Sequence, residues 1–447
     1  MDSCFSTEVA SGRCPVDARG GSTGRRRLPF CARPRLSPFD RHLLWGIMSQ
    51  QTSARRISIF DTTLRDGEQA PANAMLPEQK LDMALRIEAL GVDSIETGFP
   101  ASSPSEFEAT RLIARHLTTA RFVTFCRAVR GDVEQAVAAG GTARHEVQVM
   151  ATGSDMHLKY KRGITRKEAV DEVVDTVAFA KSLGVDSVSV PIEDASRGED
   201  ELLRALTESA VEAGATCFVI GDTSGCMTPD QYGDLIARFR SWAPSPVRIS
   251  THCHDDFGLS LPNAVAGLQA GADEAQVTLG GIGERAGNTP LEELVALLAY
   301  KRDHYGMYTD IKTEPLYEAY TALREIIRLE EPRNKAIFGT YAFGTAAGVH
   351  QQGVLRNPAT YEYVEPSRFG RERSLLIGRH SGRSVLRHLL ERIGVEVDEE
   401  RLSELYRVHV AERTGGDCED LSVLEKRLAV ELAGERTGRT APEVATR

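Results

Sequence analysis

The sequence predicts an α/β fold class, a (β/α)8 TIM barrel followed by a mainly helical C-terminal region, on three observations. From Arg56 an apolar, β-branched run, a polar loop and a helical pattern recur eight times over about 250 residues. The units are evenly spaced, which favours one closed barrel over a doubly wound sheet built from the same local units. Metal-ligand and acid–base residue types stand where the runs end, and in a barrel that end is the working face.

In chain order the strand candidates are ISIF from Ile57, SIETGF from Ser94, RFVTFC from Arg121, EVQVMAT from Glu146, SVSVPI from Ser187, CFVIGD from Cys217, VRISTHC from Val247 and EAQVTL from Glu274. Between them lie helical stretches such as PEQKLDMALRIEAL from Pro77, TRKEAVDEVVDTVAFAKSL from Thr165 and DELLRALTESAVEAG from Asp200. Pro77 begins the first helix, where its missing N–H is not needed. Gly91, Gly184 and Gly214 end helices, since glycine accepts the left-handed conformation of a helix stop.

Outside the repeat, residues 1–50 are rich in Arg, Pro and Gly and read as a disordered extension with some likeness to a transit peptide, or as sequence upstream of a translation start at Met48. Residues 51–310 are read as the catalytic barrel. Residues 311–395 form a linker and subdomain with GTYAFGTAAGVHQQGVL and LLIGRHSGRSVLRHLLERIG. Residues 396–447 are a short helical end and polar tail, in which DCEDLSVLEKRLAVELAG reads as one amphipathic helix.

A net charge of −10 argues against a nucleic-acid partner. No run is long and apolar enough for a membrane span. The 8 cysteines lack disulfide or zinc-knuckle spacing, so reduced thiols in a cytoplasmic protein are expected.

Two of only 11 histidines, His252 and His254, alternate in STHCHDDFGL, so on a strand they face one side. Closure makes strands one, seven and eight neighbours, which lets Asp66 from FDTTLRDGEQAP, both histidines and Asn288 from GGIGERAGNTP converge. Two imidazoles, a carboxylate and an amide oxygen make a mixed N/O site for a divalent metal, Zn, Mn, Co or Mg. Such an ion acts as a Lewis acid on a carbonyl. Arg65 offers rigid donors to a developing oxyanion, or else bridges Glu96 across the mouth. Glu96, Glu193, Asp194, Asp222 and Thr223 end other strands and either position a substrate or serve the fold. GGIGERAGN lacks the strand–helix context of a nucleotide fingerprint; its glycines let a loop pass close to ligand, with Glu284 and Arg285 as a bracing pair.

Five separated motifs, FDTTLRDGEQ, THCHDDFG, GIGERAGN, GVHQQGVL and GRHSGR, resemble the 2-isopropylmalate synthase, homocitrate synthase and citramalate synthase family of the metal-dependent DRE-TIM superfamily, over about residues 55–395. The resemblance implies an acyltransferase that condenses acetyl-CoA with a 2-oxo acid and hydrolyses the thioester. By position it implies Asp66, His252, His254 and Asn288 as metal ligands, Arg65 as the group polarising the carbonyl, and Thr223 on the substrate carboxylate. Glu193 matches an acid implicated in proton movement, and His350 the histidine that helps deprotonate the acetyl methyl. It further implies a homodimer in which the post-barrel segment completes the partner's site.

FPASSPSEFE looks more like the isopropylmalate branch than the homocitrate one. HQQG in place of HQDG, and Val147, Gln148 and Val149 in place of the usual His-Thr-Phe, are departures near the substrate. The first stretch makes 3-methyl-2-oxobutanoate the expected substrate, while the departures count against an automatic leucine-pathway assignment. The alternatives are 2-oxoglutarate, a specialised acid of secondary metabolism, or a carbon–carbon lyase like HMG-CoA lyase. No leucine-regulatory domain follows the linker, so feedback by that route is not expected.

Overall fold

A computed structural model describes residues 54–414, 416 and 418–436. The extension expected over residues 1–50 lies outside these residues, and so does the polar tail from 437. Eight parallel strands close a barrel in chain order: β1 Ser58–Asp61, β2 Ser94–Gly98, β3 Arg121–Arg127, β4 His145–Thr152, β5 Ser187–Glu193, β6 Cys217–Asp222, β7 Arg248–Cys253 and β8 Glu274–Val277. Closure runs through β1 and β8, with Ser58 opposite Glu274 and Asp61 opposite Val277.

The surrounding helices are α1 Pro77–Leu90, α2 Pro104–His116, α3 Arg130–Gly140, α4 Arg166–Ser182, α5 Asp200–Ala213, α6 Pro229–Trp242, α7 Ser260–Gln269 and α8 Leu291–Tyr300. Their starts follow local chemistry. Thr165 and Glu168 cap α4 reciprocally, the Thr165 hydroxyl accepting from the Glu168 N–H at 3.2 Å and the Glu168 carboxylate from the Thr165 N–H at 2.8 Å. Gly91 and Gly214 end α1 and α5 at φ +93° and +107°.

The strand period of two sorts each strand into a wall and an interior. On β4, Val147, Val149 and Ala151 are wholly buried in the apolar core shared with the helices. Glu146, Gln148 and Met150 occupy the other face, on which Gln148 and Met150 line the mouth cavity. Of the triplet Val147, Gln148 and Val149, only Gln148 therefore faces the mouth cavity. At the closed end Arg248 bridges Glu274 at 2.9 Å and also Glu146, which Arg121 meets at 3.1 Å, tying β3, β4, β7 and β8 together. Such bracing at the N-terminal face of a barrel serves stability.

After the barrel, α9 Leu316–Ile327 docks beside α1, where the Lys312 N–H donates to the Leu90 carbonyl at 2.8 Å. A helix α10 Gly348–Arg356 follows, and then a small sheet of β9 Gly344–Thr345, β10 Ser374–Gly378 and β11 Cys418–Asp420. With α11 Arg383–Arg392, α12 Glu399–Tyr406 and α13 Leu421–Arg436 it encloses a second core, including Ile377, Leu389, Leu402 and Leu424. The boundary expected at 395/396 falls inside this core. The helix expected from Asp417 begins instead at Leu421, because Cys418–Asp420 pair antiparallel with β10 and the Asp420 carboxylate accepts from the Ser422 N–H at 2.8 Å. Among the described residues no helix is long and apolar enough to cross a membrane.

Candidate metal centre at the barrel mouth

The loops that follow β1, β7 and β8 meet at one point. One donor atom each of Asp66, His252 and His254 lies within 4.8 Å of the other two. The imidazoles of His252 and His254 sit edge to face, 5.0 Å between centroids. His254 is held by its Nδ1, 3.2 Å from the Gly287 carbonyl oxygen; with the proton on Nδ1 its Nε2 keeps a lone pair. Burial, and then the neighbouring His254, push the His252 imidazole down to about 3, so it is neutral and able to ligate. Its Nδ1 is buried without a hydrogen-bond partner.

Asp66 is buried, which would raise its carboxyl, but the Arg65 guanidinium, the two neighbouring imidazoles and the Asn288 amide together outweigh burial and hold it below the usual carboxylate range. Its Oδ2 accepts from Arg65 at 3.0 Å and lies 3.8 Å from His252 Nε2. Its Oδ1 accepts from the Asn288 amide at 2.8 Å. The same amide nitrogen donates to the Ile282 carbonyl at 3.2 Å, so two acceptors fix its orientation and keep the Asn288 oxygen out of those bonds. Gly283 has φ +152°, and a Cβ there would stand 2.1 Å from the Asn288 amide nitrogen and 2.9 Å from Asp66 Oδ1. Only glycine lets the loop come this close. A neutral His252 imidazole, a second imidazole held through its Nδ1, an ionised carboxylate and an orphaned buried ring nitrogen fit a divalent cation.

Arg65 makes both interactions open to it from sequence. Its Nε lies 2.8 Å from Glu96 Oε1 while NH1 reaches Asp66. Glu96 is wholly buried, accepts from the Thr62 hydroxyl at 2.5 Å, and stands behind Arg65 rather than in the cavity lining. Thr223 does line the cavity; its hydroxyl oxygen accepts from the Asp194 N–H at 2.8 Å, which leaves its O–H free to donate. Glu193 also lines it, paired with Lys161 at 2.6 Å and facing His157 Nδ1 at 3.3 Å.

Other acids named from sequence serve the scaffold. Asp222 accepts from the Cys226 and Met227 N–H groups, each at 3.1 Å, and Asp194 holds Arg197 at 2.8 Å. Arg285 meets Glu284 at 3.3 Å, but its closer carboxylate is Asp256 at 2.8 Å. His350 is exposed on α10, its ring 4.4 Å from that of Tyr361, and is not among the residues lining the cavity.

The cavity holds about 440 Å³. Besides the residues above it is walled by Phe99, Phe125, Met150, Pro191 and Ile192, with Arg127, Gln148 and Gln276 as further polar groups. Sequence reasoning missed most of these. The available signal was alternation: Gln148 and Met150, or Gln276 on β8, follow the inward register that Glu146 and Glu274 begin.

Asp61, at the end of β1, is wholly buried, and one of its carboxylate oxygens has no partner. Burial pushes its carboxyl up to about 7 against the pull of the Thr63 N–H. A carboxyl raised on folding favours the native state at low pH, and that contribution is lost as pH rises through about 7. Its size is at most roughly 4 kcal/mol. Asp61→Asn keeps an acceptor for Thr63 and cannot ionise. Thermal melts should therefore show the variant gaining on the wild type as pH rises from about 4 to about 7 and levelling off above that; a constant difference across that range would contradict the raised carboxyl.

Comparison with known proteins agrees with this geometry. The model of the HMGL-like family matches residues 56–322, and that of the homocitrate synthase post-HMGL domain matches 337–413. A 2-isopropylmalate synthase of Sulfolobus acidocaldarius is 40% identical over 356 residues, covering 79% of this chain and 90% of the relative. A candidate (R)-citramalate synthase of Methanopyrus kandleri is 40% identical over 351 residues, 78% of this chain and 68% of its own. Among solved structures, the HMG-CoA lyase of Brucella melitensis superposes with TM-score 0.54 at 20% identity, covering 62% of this chain and 100% of the lyase, a likeness of fold alone.

Proposed function

Since the chain belongs to the HMGL-like family, alongside 2-isopropylmalate and citramalate synthases, we propose that it is an acyltransferase joining acetyl-CoA to a 2-oxo acid. The acetyl methyl carbon bonds to the oxo carbon as the methyl loses a proton and the oxo oxygen gains one. Water then cleaves the thioester, leaving a 2-hydroxy-2-substituted dicarboxylate and CoA. The observation that carries this reading is the convergence of Asp66, His252 and His254 at the floor of a cavity that also presents Arg65 and Thr223.

A divalent cation, Zn, Mn, Co or Mg, held by Asp66, His252 and His254 with the Asn288 amide, would supply a Lewis acid for the 2-oxo carbonyl. Arg65, aligned by Glu96, donates to the oxygen on which negative charge develops. The Thr223 hydroxyl donates to the substrate carboxylate. Glu193 moves a proton, with Lys161 as its electrostatic partner. His350 is the base for the acetyl methyl and acts in the site of a second copy of the chain, so the working form is a homodimer. Operation in the cytoplasm belongs to the same reading, since the buried Cys126, Cys217 and Cys253 are free thiols.

The substrate side of the cavity favours a neutral side chain on the 2-oxo acid. Its cations are already matched: Arg65 by Asp66 and Glu96, Arg127 by Asp132 at 2.8 Å, and Lys161 by Glu193. A second carboxylate, as in 2-oxoglutarate, would meet no unmatched positive charge there. The test is thiol release from acetyl-CoA by the metal-loaded protein across a panel of 2-oxo acids. 3-Methyl-2-oxobutanoate should exceed 2-oxoglutarate in kcat/KM by at least about tenfold. Preference for 2-oxoglutarate would move the assignment to a homocitrate synthase, and cleavage of HMG-CoA in place of condensation would move it to a lyase.

A further inference from the structure

Two amide side chains that line the cavity have no role in the chemistry above, although Gln276 also stands within hydrogen-bonding reach of the His252 imidazole. Gln148 comes from β4 and Gln276 from β8, strands on opposite sides of the barrel. They are 1% and 3% exposed, both line the cavity, and the amide nitrogen of each is buried without a hydrogen-bond partner. A buried donor left unmet is costly, so such a pair marks a place where a ligand oxygen belongs. The cations of the same cavity are matched by protein partners, and Phe99, Phe125, Met150, Pro191 and Ile192 give it an apolar stretch of wall.

We propose that Gln148 and Gln276 form a subsite for a neutral oxygen, and that the 2-oxo acid taken by this enzyme carries a hydroxyl or ether oxygen on its side chain. The inference rests on the acyl-transfer reading and narrows its substrate. A hydroxyl both donates and accepts, so it satisfies either orientation of each carboxamide. A purely alkyl chain leaves both amides unmet. A carboxylate gains hydrogen bonds there but no counter-charge, and its desolvation goes uncompensated.

The experiment uses two near-isosteric pairs with metal-loaded protein and acetyl-CoA. In one, 4-hydroxy-2-oxobutanoate is compared with 2-oxopentanoate; in the other, 4-methoxy-2-oxobutanoate is compared with 2-oxohexanoate. The oxygenated member should be favoured at least about tenfold in kcat/KM in one pair or both, because a site built to hydrogen-bond an oxygen rejects the analogue lacking it. Gln148→Leu, close in size and apolar, should bring that ratio toward one. Equal or alkyl-favouring ratios in the wild type would overturn the subsite while leaving the reaction intact. An unchanged ratio in a folded Gln148→Leu protein would overturn it as well. Should no 2-oxo acid release thiol, the acyl-transfer reading itself fails. Calorimetric binding of the same pairs then decides the subsite, tighter binding of the oxygenated member supporting it and equal affinities ending it.

Discussion

His254→Ala should abolish condensation while the barrel stays folded. The imidazole is buried, and its one hydrogen bond, from Nδ1 to the Gly287 carbonyl, is worth about 1 kcal/mol, a modest part of the total for a domain of this size. The loss for function is far larger. One of three converging donors disappears, and Asp66 and His252 alone hold a cation poorly. We expect kcat/KM to fall on the order of a thousandfold or more, about 4 kcal/mol of transition-state stabilisation. Bound metal, measured on the purified protein, should fall with it while the circular dichroism spectrum is kept. Wild-type turnover with normal metal content would sink the assignment of the centre.

The same variant tests where His350 acts. If that histidine serves the site of a second chain, a dimer of one His254→Ala and one His350→Ala chain has one intact site. Mixing and refolding the two inactive proteins should then restore about a quarter of wild-type activity. If His350 acts within its own chain, every site in every pairing lacks either His254 or His350, and the mixture stays inactive.

Arg65→Gln is expected to be the second most damaging change, and in two ways at once. The guanidinium is the partner of two buried carboxylates, Asp66 at 3.0 Å and Glu96 at 2.8 Å. Glutamine leaves Glu96 buried without its counter-charge, and breaking a buried pair in this way costs about 3–5 kcal/mol of stability. Catalysis loses the donor aimed at the developing oxyanion, a change of roughly a hundred- to a thousandfold in kcat. Arg65→Gln/Glu96→Gln separates the two effects. Removing both charges should return much of the thermal stability but none of the rate; recovery of kcat by the double variant would contradict a donor role for Arg65.

The fold was legible because periodicity and punctuation agree along the chain. CFVIGD occupies β6 from end to end, and PEQKLDMALRIEAL is α1 from its proline to the glycine that stops it. The convergence at the candidate metal site was legible because barrel closure is a topological fact: once strands one, seven and eight are neighbours, Asp66, His252, His254 and Asn288 need no further information to meet. The end of the chain was less so. Cys418–Asp420 carry no strand signal of their own and become a strand only because the edge of β10 lies beside them, while the amphipathic pattern of Leu421 onward dominates the local reading.

By itself, then, the sequence determined the eight-unit barrel and which side chains gather at its mouth, since these depend on local patterns and on chain order. Tertiary structure alone decided which partner each charge keeps and what the cavity shows a substrate. Glu96 left the lining because Arg65 claims it, Arg127 and Lys161 are matched by Asp132 and Glu193, and Gln148 and Gln276 face each other's strands across the interior unpaired. Those outcomes depend on distances between residues far apart in the chain, and hydrogen bonds and ion pairs change strength over less than an ångström.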